Sequence, residues 1–321
     1  MDKNLELWIE KYRPSNFEDI IGQEGIVKRV KAMVENKNIQ HMIFSGPSGI
    51  GKSSLALVTV KHLFKENWKE NFLELNASDA RGIDTIRNDV KSFARTMSIG
   101  SNIPRIIFLD EADALTKDAQ NALRRTMETY ANSTRFIFSC NYSSQIIDAI
   151  TSRCVIFRFK LLEKKHIIEV INKIAKNENL KINEKSTDIL YELCEGDVRR
   201  LENVLQSCAV VSKNITEDLI HETASFAKPK DIKEVLELAV SGDFIDARKK
   251  LLNAMLEYGL SGLDIIKQVQ KEILSLNVDE KTKLKMIEKC GEAEFRLIEG
   301  SDEYVQLEAM LASFCLVSSK T

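Results

Sequence analysis

One short segment, GPSGIGKS at residues 46–53, limits what this chain can fold into more than any other feature. It follows the apolar run HMIFS and precedes a segment with apolar residues at helical spacing, which is the strand–loop–helix context of a phosphate-binding loop. The glycines let the backbone curl until successive N–H groups face one spot, where the following helix also directs its positive end. The segment therefore predicts a phosphate-binding loop; the alternative is an ordinary glycine turn with a surface lysine.

The side chains of this loop predict a nucleotide accompanied by a magnesium ion. Lys52 would reach the β and γ phosphates, and the hydroxyl of Ser53 would bind Mg²⁺. The backbone N–H groups of the loop would contact the phosphates. The residues predicted to bind the nucleotide are Gly46, Pro47, Ser48, Gly49, Ile50, Gly51, Lys52, Ser53 and Ser54.

The pattern of apolar runs predicts the fold class. Between Phe44 and Phe159 these runs alternate with longer helical segments; they are HMIFSG, NFLELNAS, PRIIFLDEAD, TRFIFSCN and CVIFRFK. Runs that are apolar on both faces and separated by helices are typical of a parallel sheet covered on both sides. We therefore predict an α/β domain with a P-loop and a parallel sheet.

The chain changes character after Lys160, where the strand pattern ends and later segments repeat apolar residues at helical spacing. Pro229, the only proline after Pro104, interrupts this pattern and is the predicted linker. The sequence thus predicts three domains: an α/β nucleotide-binding domain at residues 1–161, a small helical lid at 162–227 and an all-helical domain at 228–321.

Two adjacent acids, Asp110 and Glu111, end the apolar strand in RIIFLDEAD. Asp110 would hold Mg²⁺ through water, and Glu111 would polarise the attacking water as a general base. A protein that only binds the nucleotide as a switch needs the first acid alone, so the second acid favours hydrolysis. A helix N-cap or a solvated turn would also explain Glu111. Asn141 ends the next strand and could hydrogen-bond the water or the γ-phosphate, but such an Asn is more often a turn residue.

Arg153 precedes the apolar run CVIFRF, which predicts a buried strand. Because an unpaired buried guanidinium costs several kcal/mol, we expect its side chain to point away from that strand toward an anion. A phosphate and a local salt bridge to an acid such as Asp148 are both open on these grounds.

Composition excludes several classes of protein. A net charge of −2 and a pI near 6.2 exclude a globally basic surface, so DNA contact would need a local patch or several copies of the chain. The six cysteines are far apart in mostly apolar segments, which indicates reduced core thiols. Neither they nor the four histidines have the spacing of a zinc or haem site. No apolar run approaches the roughly 20 residues of a membrane span.

Several motifs follow one another along the chain. They are WIEKYRP at Trp8–Pro14, NASDARGIDTIR at Asn76–Arg87, FLDEAD at 108–113, QNALRRTME at Gln120–Glu128, TSRC at 151–154 and GDVRR at Gly196–Arg200. Together with the phosphate loop, this series resembles the AAA+ ATPases and, among them, the small subunits of replication factor C, the sliding-clamp loader of archaea and eukaryotes. The resemblance covers about residues 5–210, and the helical third domain is compatible with the collar of that family.

The resemblance implies ATP as the nucleotide and gives roles to further residues. Arg153 would be an arginine finger that reaches the ATP of the next subunit. Arg199 in GDVRR would read the γ-phosphate of its own subunit and couple the lid to the nucleotide state. The family has a small and then an aliphatic residue after the two arginines, whereas Leu201 and Glu202 stand here, which would alter lid packing. The base pocket would be lined by Ile9, Tyr12, Arg13 and Ile21.

The resemblance also implies partners: the clamp-loader large subunit and other small subunits in a ring of five, the clamp PCNA, and primer-template DNA bound without regard to sequence. A basic stripe would follow the DNA phosphates, although alone it would usually be a solvated helix face. Its residues are Arg81, Arg87, Lys91 and Arg95. We expect no membrane partner, and a cytoplasmic, nucleoid-associated location in an archaeon or a nuclear one in a eukaryote.

The implied function is an ATPase that opens the clamp and loads it onto primer-template DNA for replication, using ATP binding and hydrolysis. One alternative is a non-hydrolysing structural subunit, which the presence of both Glu111 and Arg153 disfavours. Another is a different AAA+ motor, such as a branch-migration helicase or a remodelling chaperone, which QNALRRTME and SRC disfavour.

Overall fold

The computed structural model describes residues 6–78, 83–224 and 229–318. The chain divides into two compact units, one of residues 1–181 with 190–206 and the other of residues 182–189 with 207–321. Helices α8 (Glu184–Cys194) and α9 (Val198–Val211) each contribute residues to both units. The three-domain division expected from the sequence stays a prediction.

The first unit contains a parallel sheet of five strands. They are β1 (Met42–Ser45), β2 (Phe72–Asn76), β3 (Arg105–Asp110), β4 (Thr134–Cys140) and β5 (Val155–Arg158). Their spatial order is β2-β3-β4-β1-β5, and every neighbouring pair is parallel, which confirms the predicted fold class. Because β4 lies between β3 and β1, the segments that follow these three strands lie side by side at the carboxyl edge of the sheet.

Among the described residues before 181, the first unit has seven α-helices. They are α1 (Trp8–Lys11), α2 (Glu24–Glu35), α3 (Lys52–Phe64), α4 (Ile83–Ala94), α5 (Lys117–Thr129), α6 (Asp148–Thr151) and α7 (Lys164–Glu178). Helix α5 begins where the sequence supplies an N-cap, since the Thr116 side chain accepts a hydrogen bond from the N–H of Ala119 at 3.3 Å.

One face of the sheet illustrates why the strand residues are apolar. Ile107 and Leu109 of β3 and Phe136 and Phe138 of β4 belong to a single buried cluster. Their spacing of two residues places them on the same face. The cluster also contains residues of α4 and α5: Val90, Ala94, Ala119, Leu123 and Met127. These two helices therefore cover that face of the sheet.

Strand β5 differs from the predicted buried strand. Within the described part of the chain it pairs with β1 alone and lies at the edge of the sheet, so Val155 and Ile156 are half-buried and Arg158 is exposed. Phe157 is buried, and the guanidinium of Arg29 lies 4.6 Å from the centre of its ring. An apolar run alone does not distinguish an edge strand from a central one.

The second unit is helical around a core of its own. After α10 (Glu217–Ala224) come α11 (Pro229–Val240), α12 (Phe244–Tyr258), α13 (Gly262–Ile273), α14 (Glu280–Ile298) and α15 (Glu303–Ser318). Ser261 and Asp264 form a capping box at the start of α13, and Asp279 caps α14. The core includes Val235, Leu251, Ile266, Met286 and Phe314.

Two very short strands were not expected after Lys160: β6 (Lys181–Ile182) and β7 (Asn214–Ile215). Two residues are too few for an alternating pattern to appear in the sequence. All six cysteines are free thiols; Cys154 and Cys315 are half-buried and the other four are buried. Within the described ranges, no helix is long and apolar enough to cross a membrane.

Candidate nucleotide site

A cavity of about 400 Å³ lies in the first unit, within the size range of about 300–1,000 Å³ that is usual for ligand sites. Its walls come from the phosphate loop, the segments after β3 and β4, the N-terminal segment, α7 and the start of α9. Most predicted site residues line it: Ile9, Tyr12, Arg13, Ile21, Ser48, Gly49, Ile50, Gly51, Lys52, Ser53, Ser54, Asp110, Glu111, Asn141 and Arg199. Gly46, Pro47 and Arg153 are not part of its lining.

The phosphate loop joins β1 to α3. Gly51 precedes the helix with φ +95°, in the left-handed region that favours glycine. Its carbonyl accepts the N–H of Leu55 at 2.9 Å, so α3 begins directly at the cavity wall. The free N–H groups of a first helical turn and the positive end of the helix dipole favour an anion at this position.

Lys52 is buried although it carries an ammonium group, with 8% of its surface exposed. Its Nζ donates hydrogen bonds to the carbonyls of Gly46 and Pro47, both at 2.6 Å, and to Oδ1 of Asn141 at 3.3 Å. Burial lowers the pKa of Lys52, while the nearby carboxylate of Asp110 acts in the opposite direction. These contacts hold the cation against the loop, where a phosphate would contact it.

Ser53 and Asp110 place two oxygen atoms together beside the loop. The hydroxyl of Ser53 donates to Oδ2 of Asp110 at 2.8 Å, and both residues line the cavity. Hydroxyl and carboxylate oxygens are ligands that Mg²⁺ accepts, together with phosphate oxygens and water. This donor set fits a magnesium ion that is shared with a bound nucleotide.

Glu111 follows Asp110 in a backbone conformation that is unusual for a side chain other than glycine. Its φ is +52° and ψ is +40°, and its N–H donates to Oδ1 of Asp110 at 3.0 Å. The residue is exposed and lines the cavity. Left-handed backbone of this kind is uncommon for residues with a Cβ and often lies at functional sites.

The sequence interpretation gave no role to Asp113, which positions the segment after β4. Its Oδ2 accepts the N–H groups of Asn141 at 2.9 Å and Tyr142 at 3.2 Å. Because these bonds fix the backbone of Asn141, its amide side chain is directed to Lys52. The last acid of FLDEAD was the signal that could have indicated this contact.

The start of α9 is bonded directly to the phosphate loop. The N–H of Val198 donates to the carbonyl of Gly49 at 3.0 Å, and the hydroxyl of Ser48 donates to Oδ2 of Asp197 at 3.1 Å. Asp197 also caps α9, since its Oδ1 accepts the N–H of Arg200 at 3.1 Å. These bonds bring Arg199 to the cavity wall.

Gly49→Ala is expected to weaken binding of the predicted nucleotide by about tenfold or more. Gly49 has φ +66°, and a Cβ built there would overlap the Asp197 carboxylate; a left-handed alanine alone costs about 1–2 kcal/mol. Titration with a fluorescent ATP analogue measures the loss. The matched control is Gly25→Ala, in α2, where a Cβ would meet nothing within 4 Å. Equal affinities for the two variants would contradict the role of the Gly49 contact.

The N-terminal segment is held to the cavity by side-chain contacts. The Tyr12 hydroxyl donates to Oε1 of Glu178 at 2.5 Å, and the N–H of Trp8 donates to Oε1 of Gln206 at 2.9 Å. Burial, and next the bond to Glu178, raise the pKa of the Tyr12 phenol. These contacts keep Ile9 and Tyr12 at one end of the cavity.

The structure also adds cavity residues that the sequence did not indicate. They are Glu10, Pro14, Asp19, Ile20, Ser139, Cys140, Leu162, Val170, Lys173, Ile174, Val198 and Glu202. Those on α7 belong to an ordinary amphipathic pattern and carried no signal. Glu202 did carry a sequence signal, because the family that this chain resembles has an aliphatic residue at this position and not an acid.

Arg153 lies in the turn between α6 and β5, with its side chain 41% exposed. Nη2 forms a salt bridge with Oε1 of Glu128 at 2.7 Å, and Nη1 donates to the carbonyl of Ala149 at 2.7 Å. Its acidic partner is therefore Glu128 of α5 rather than Asp148. The finger role in a neighbouring subunit stays a prediction.

The predicted DNA-contacting residues are only partly described. Arg81 lies outside the described residues, and of Arg87 the structure describes the backbone within α4. Lys91 is exposed on that helix. Arg95 is exposed just beyond the helix end, where its N–H bonds to the carbonyl of Lys91 at 3.1 Å and its Nε to the Tyr130 hydroxyl at 3.2 Å.

Comparison with known families covers both units. Residues 42–161 match the family described as "ATPase family associated with various cellular activities (AAA)". Residues 227–313 match the family described as "Replication factor C C-terminal domain". Among solved structures, the Thermotoga maritima RuvB Holliday junction branch migration motor gives a TM-score of 0.55 at 18% identity, over 71% of this chain and 79% of that chain. At this identity the likeness shows the fold alone.

Curated relatives match over nearly the whole chain. The replication factor C small subunit of Methanocella arvoryzae is 51% identical, with 96% of each chain covered. That of Methanococcus vannielii is 49% identical over 95% of this chain and 97% of the relative. That of Archaeoglobus fulgidus is 46% identical over 99% of this chain and 100% of the relative. This chain is therefore an ATP hydrolase with an AAA domain and belongs to the family of replication factor C small subunits.

Proposed function

We propose that this chain is an ATPase subunit of a clamp loader that opens the sliding clamp PCNA and places it on primer-template DNA. The observation that carries the proposal is the arrangement of Lys52, Ser53, Asp110, Glu111 and Arg199 around one cavity, in a chain of this family. A subunit that only binds ATP would need the loop and the first acid. The second acid favours a subunit that also hydrolyses it.

Each of these cavity residues would have a separate role in hydrolysis. Ser53 and Asp110 would hold Mg²⁺, which would neutralise charge on the β- and γ-phosphates. Glu111 would take the proton of the attacking water, and Asn141 would orient that water or the γ-phosphate. Lys52 would contact the β- and γ-phosphates after exchanging its loop carbonyls for phosphate oxygens.

Arg199 would report the nucleotide state to the helical part of the chain. It lies at the start of α9, which is bonded to the phosphate loop through Val198 and Gly49. A γ-phosphate that draws Arg199 inward would therefore change the position of α9 against the loop. ATP binding would set the conformation that opens the clamp, and hydrolysis would release it.

Arg153 would complete the site of an adjacent subunit. It is outside the cavity of its own chain and its side chain reaches solvent. A finger supplied in this way requires subunits arranged in succession, and we propose a ring of five with a large subunit. The helices of residues 228–321 would form the collar of the ring, after a lid at 162–227 and an ATPase domain at 1–161.

Contact with DNA would be made through phosphates. Arg87 and Lys91 of α4, with Arg81 before it and Arg95 after it in the sequence, would supply the cations without reading bases. Because the chain carries a net charge of −2, binding would depend on repetition of this stripe around the ring. Binding would therefore fall steeply with salt for the assembly. The archaeal relatives favour a cytoplasmic, nucleoid-associated location.

A clamp-loading assay with the assembled complex tests this function. The chain is combined with its large subunit, labelled PCNA, primed circular DNA, ATP and Mg²⁺, and DNA-bound clamp is separated by gel filtration. We expect loading with the native chain and at least a tenfold loss with Lys52→Ala, because the variant lacks the cation for the phosphates. Lys185→Ala, an exposed lysine of α8, is the control and should load normally.

Two outcomes would contradict the proposal. Loading that proceeds without this chain, or with Lys52→Ala at the native rate, would leave no role for its ATP site. Translocation along DNA by the purified chain alone would instead favour an AAA+ motor of another kind.

A further inference from the structure

Glu202 is a buried carboxyl group that the proposed hydrolysis does not use. Its residue is 6% exposed, and it lines the cavity from helix α9. In the part of the chain that the structure describes, no hydrogen bond or ion pair reaches its carboxyl oxygens. The residue as a whole is buried, but its carboxyl oxygens are not among the described polar atoms that are both enclosed and without a partner, so they are open to the cavity. A polar group in this position that has no protein partner indicates a ligand.

The position of Glu202 on α9 indicates which part of the nucleotide it faces. Arg199, one turn earlier on the same face, lies beside the phosphate loop. Gln206, one turn later, accepts the N–H of Trp8 at the N-terminal segment. Successive turns are about 5.4 Å apart along a helix. Glu202 therefore lies between the phosphate end of the cavity and the end formed by Ile9 and Tyr12.

The surroundings of Glu202 favour a base over a sugar. Apolar side chains of the N-terminal segment and α7, among them Ile9, Val170 and Ile174, line the same cavity. Apolar walls with a few placed polar groups suit the flat and largely apolar part of a ligand, which in a nucleotide is the base rather than the hydroxyl-bearing ribose.

The protonation state of a carboxyl group decides which base it can hydrogen-bond. The neutral form has one donor and one acceptor, which match a ring nitrogen and the neighbouring 6-amino group of adenine. The ionised form has acceptors only, which match the N1–H and 2-amino groups of guanine. The base that Glu202 favours therefore depends on whether its carboxyl group is protonated.

We propose that Glu202 is a specificity-determining residue, whose neutral carboxyl group accepts a hydrogen bond from the 6-amino group of adenine and donates one to the adjacent ring nitrogen. This inference rests on the proposed assignment of the cavity as the ATP site.

Burial keeps the proton on the carboxyl group of Glu202 near neutral pH, while the neighbouring charges act in both directions. Burial raises its pKa from 4.5 to about 7. On its own helix Arg199 lowers the pKa and Asp197 raises it; Glu10 of α1 raises it and Lys173 of α7 lowers it. The Tyr12 hydroxyl also interacts with Glu202, and the charged side chains of Arg13 and Asp19 line the same cavity. The group is thus neutral below about pH 7 and loses its donor as the pH rises.

The test compares binding of adenine and guanine nucleotides at two pH values. The full-length chain is titrated calorimetrically with the β,γ-imido analogues of ATP and GTP at pH 6.0 and pH 8.5. We expect the ratio of ATP to GTP affinity to fall by about tenfold at the higher pH. Because both analogues carry the same triphosphate, titration of the phosphates cancels in the ratio.

Variants separate base recognition from a general effect of charge. Glu202→Gln always presents one donor group and one acceptor, so it should prefer ATP equally at both pH values. Glu202→Leu should lose the preference at both. Glu192→Gln removes an exposed carboxylate of α8 and should retain the native pH dependence.

Two results would overturn the inference while leaving the ATP site in place. One is a native pH dependence of the ratio in Glu202→Gln. The other is a constant ratio of ATP to GTP affinity at the two pH values, together with a preference for ATP over 2′-deoxy-ATP that does change with pH. This result would assign Glu202 to the ribose. Failure of the native chain to bind either analogue would overturn the ATP site itself, and this inference with it.

Discussion

Replacing Arg153 with alanine is expected to lower the DNA-stimulated ATPase rate of the assembled complex by about 10³- to 10⁵-fold. An arginine supplied by a neighbouring subunit stabilises the charge that develops on the transferred phosphate. ATP should still bind, because Arg153 does not line the cavity of its own chain. The measurement is single-turnover hydrolysis with primed DNA and clamp, alongside ATP binding and the mass of the complex.

A matched control for this prediction changes Glu128, the residue that pairs with Arg153 within the same chain. Arg153 and Glu128 form a salt bridge in which both side chains are 41% exposed, and such pairs contribute about 0–1 kcal/mol. A 10³-fold loss corresponds to about 4 kcal/mol, so breaking this pair cannot explain it. Glu128→Gln removes the negative charge that Arg153 shares with Arg124, which also contacts Oε1 of Glu128 at 3.2 Å, but keeps both arginines. The rate of this variant should stay within about fivefold of native. Equal losses in both variants would assign Arg153 to local structure.

Much of the fold and of the candidate site could be predicted because its signals are local in the sequence. The loop from Gly46 to Ser53 has fixed spacing, since backbone N–H groups and a helix start must follow each other directly. Asp110 and Asn141 end apolar runs, and parallel topology brings the ends of neighbouring strands to one edge. Short-range patterns were therefore sufficient for the sheet and for the phosphate end of the cavity.

Contacts between distant segments could not be predicted in the same way. Glu202 stood out as a departure from a family pattern, but its burial depends on how α9 packs beside α1 and α7. The pair of Arg153 with Glu128 joins a turn to α5, and nothing in the spacing of these residues indicates it. The contact of Asp197, at the start of α9, with Ser48 likewise becomes visible only in three dimensions.

Replacing Glu111 with glutamine is expected to lower the hydrolysis rate of the complex by about 10²- to 10⁴-fold without reducing ATP affinity. Glutamine keeps the shape of the side chain but cannot take a proton from the attacking water. The left-handed backbone of Glu111 is no more costly for glutamine than for glutamate, so a structural loss is not expected. Single-turnover hydrolysis and ATP binding, measured on the same preparation, separate chemistry from binding.

Asp118→Asn is the matched control, because Asp118 is an exposed acid of α5 outside the cavity. It should hydrolyse ATP at a near-native rate. Since clamp release is proposed to follow hydrolysis, the Glu111→Gln complex should also remain on DNA with ATP and clamp bound, whereas Lys52→Ala should not reach that state. Native turnover in Glu111→Gln would mean that this carboxylate does not act as the base, and the ATP site of this chain would then serve to hold the assembly together.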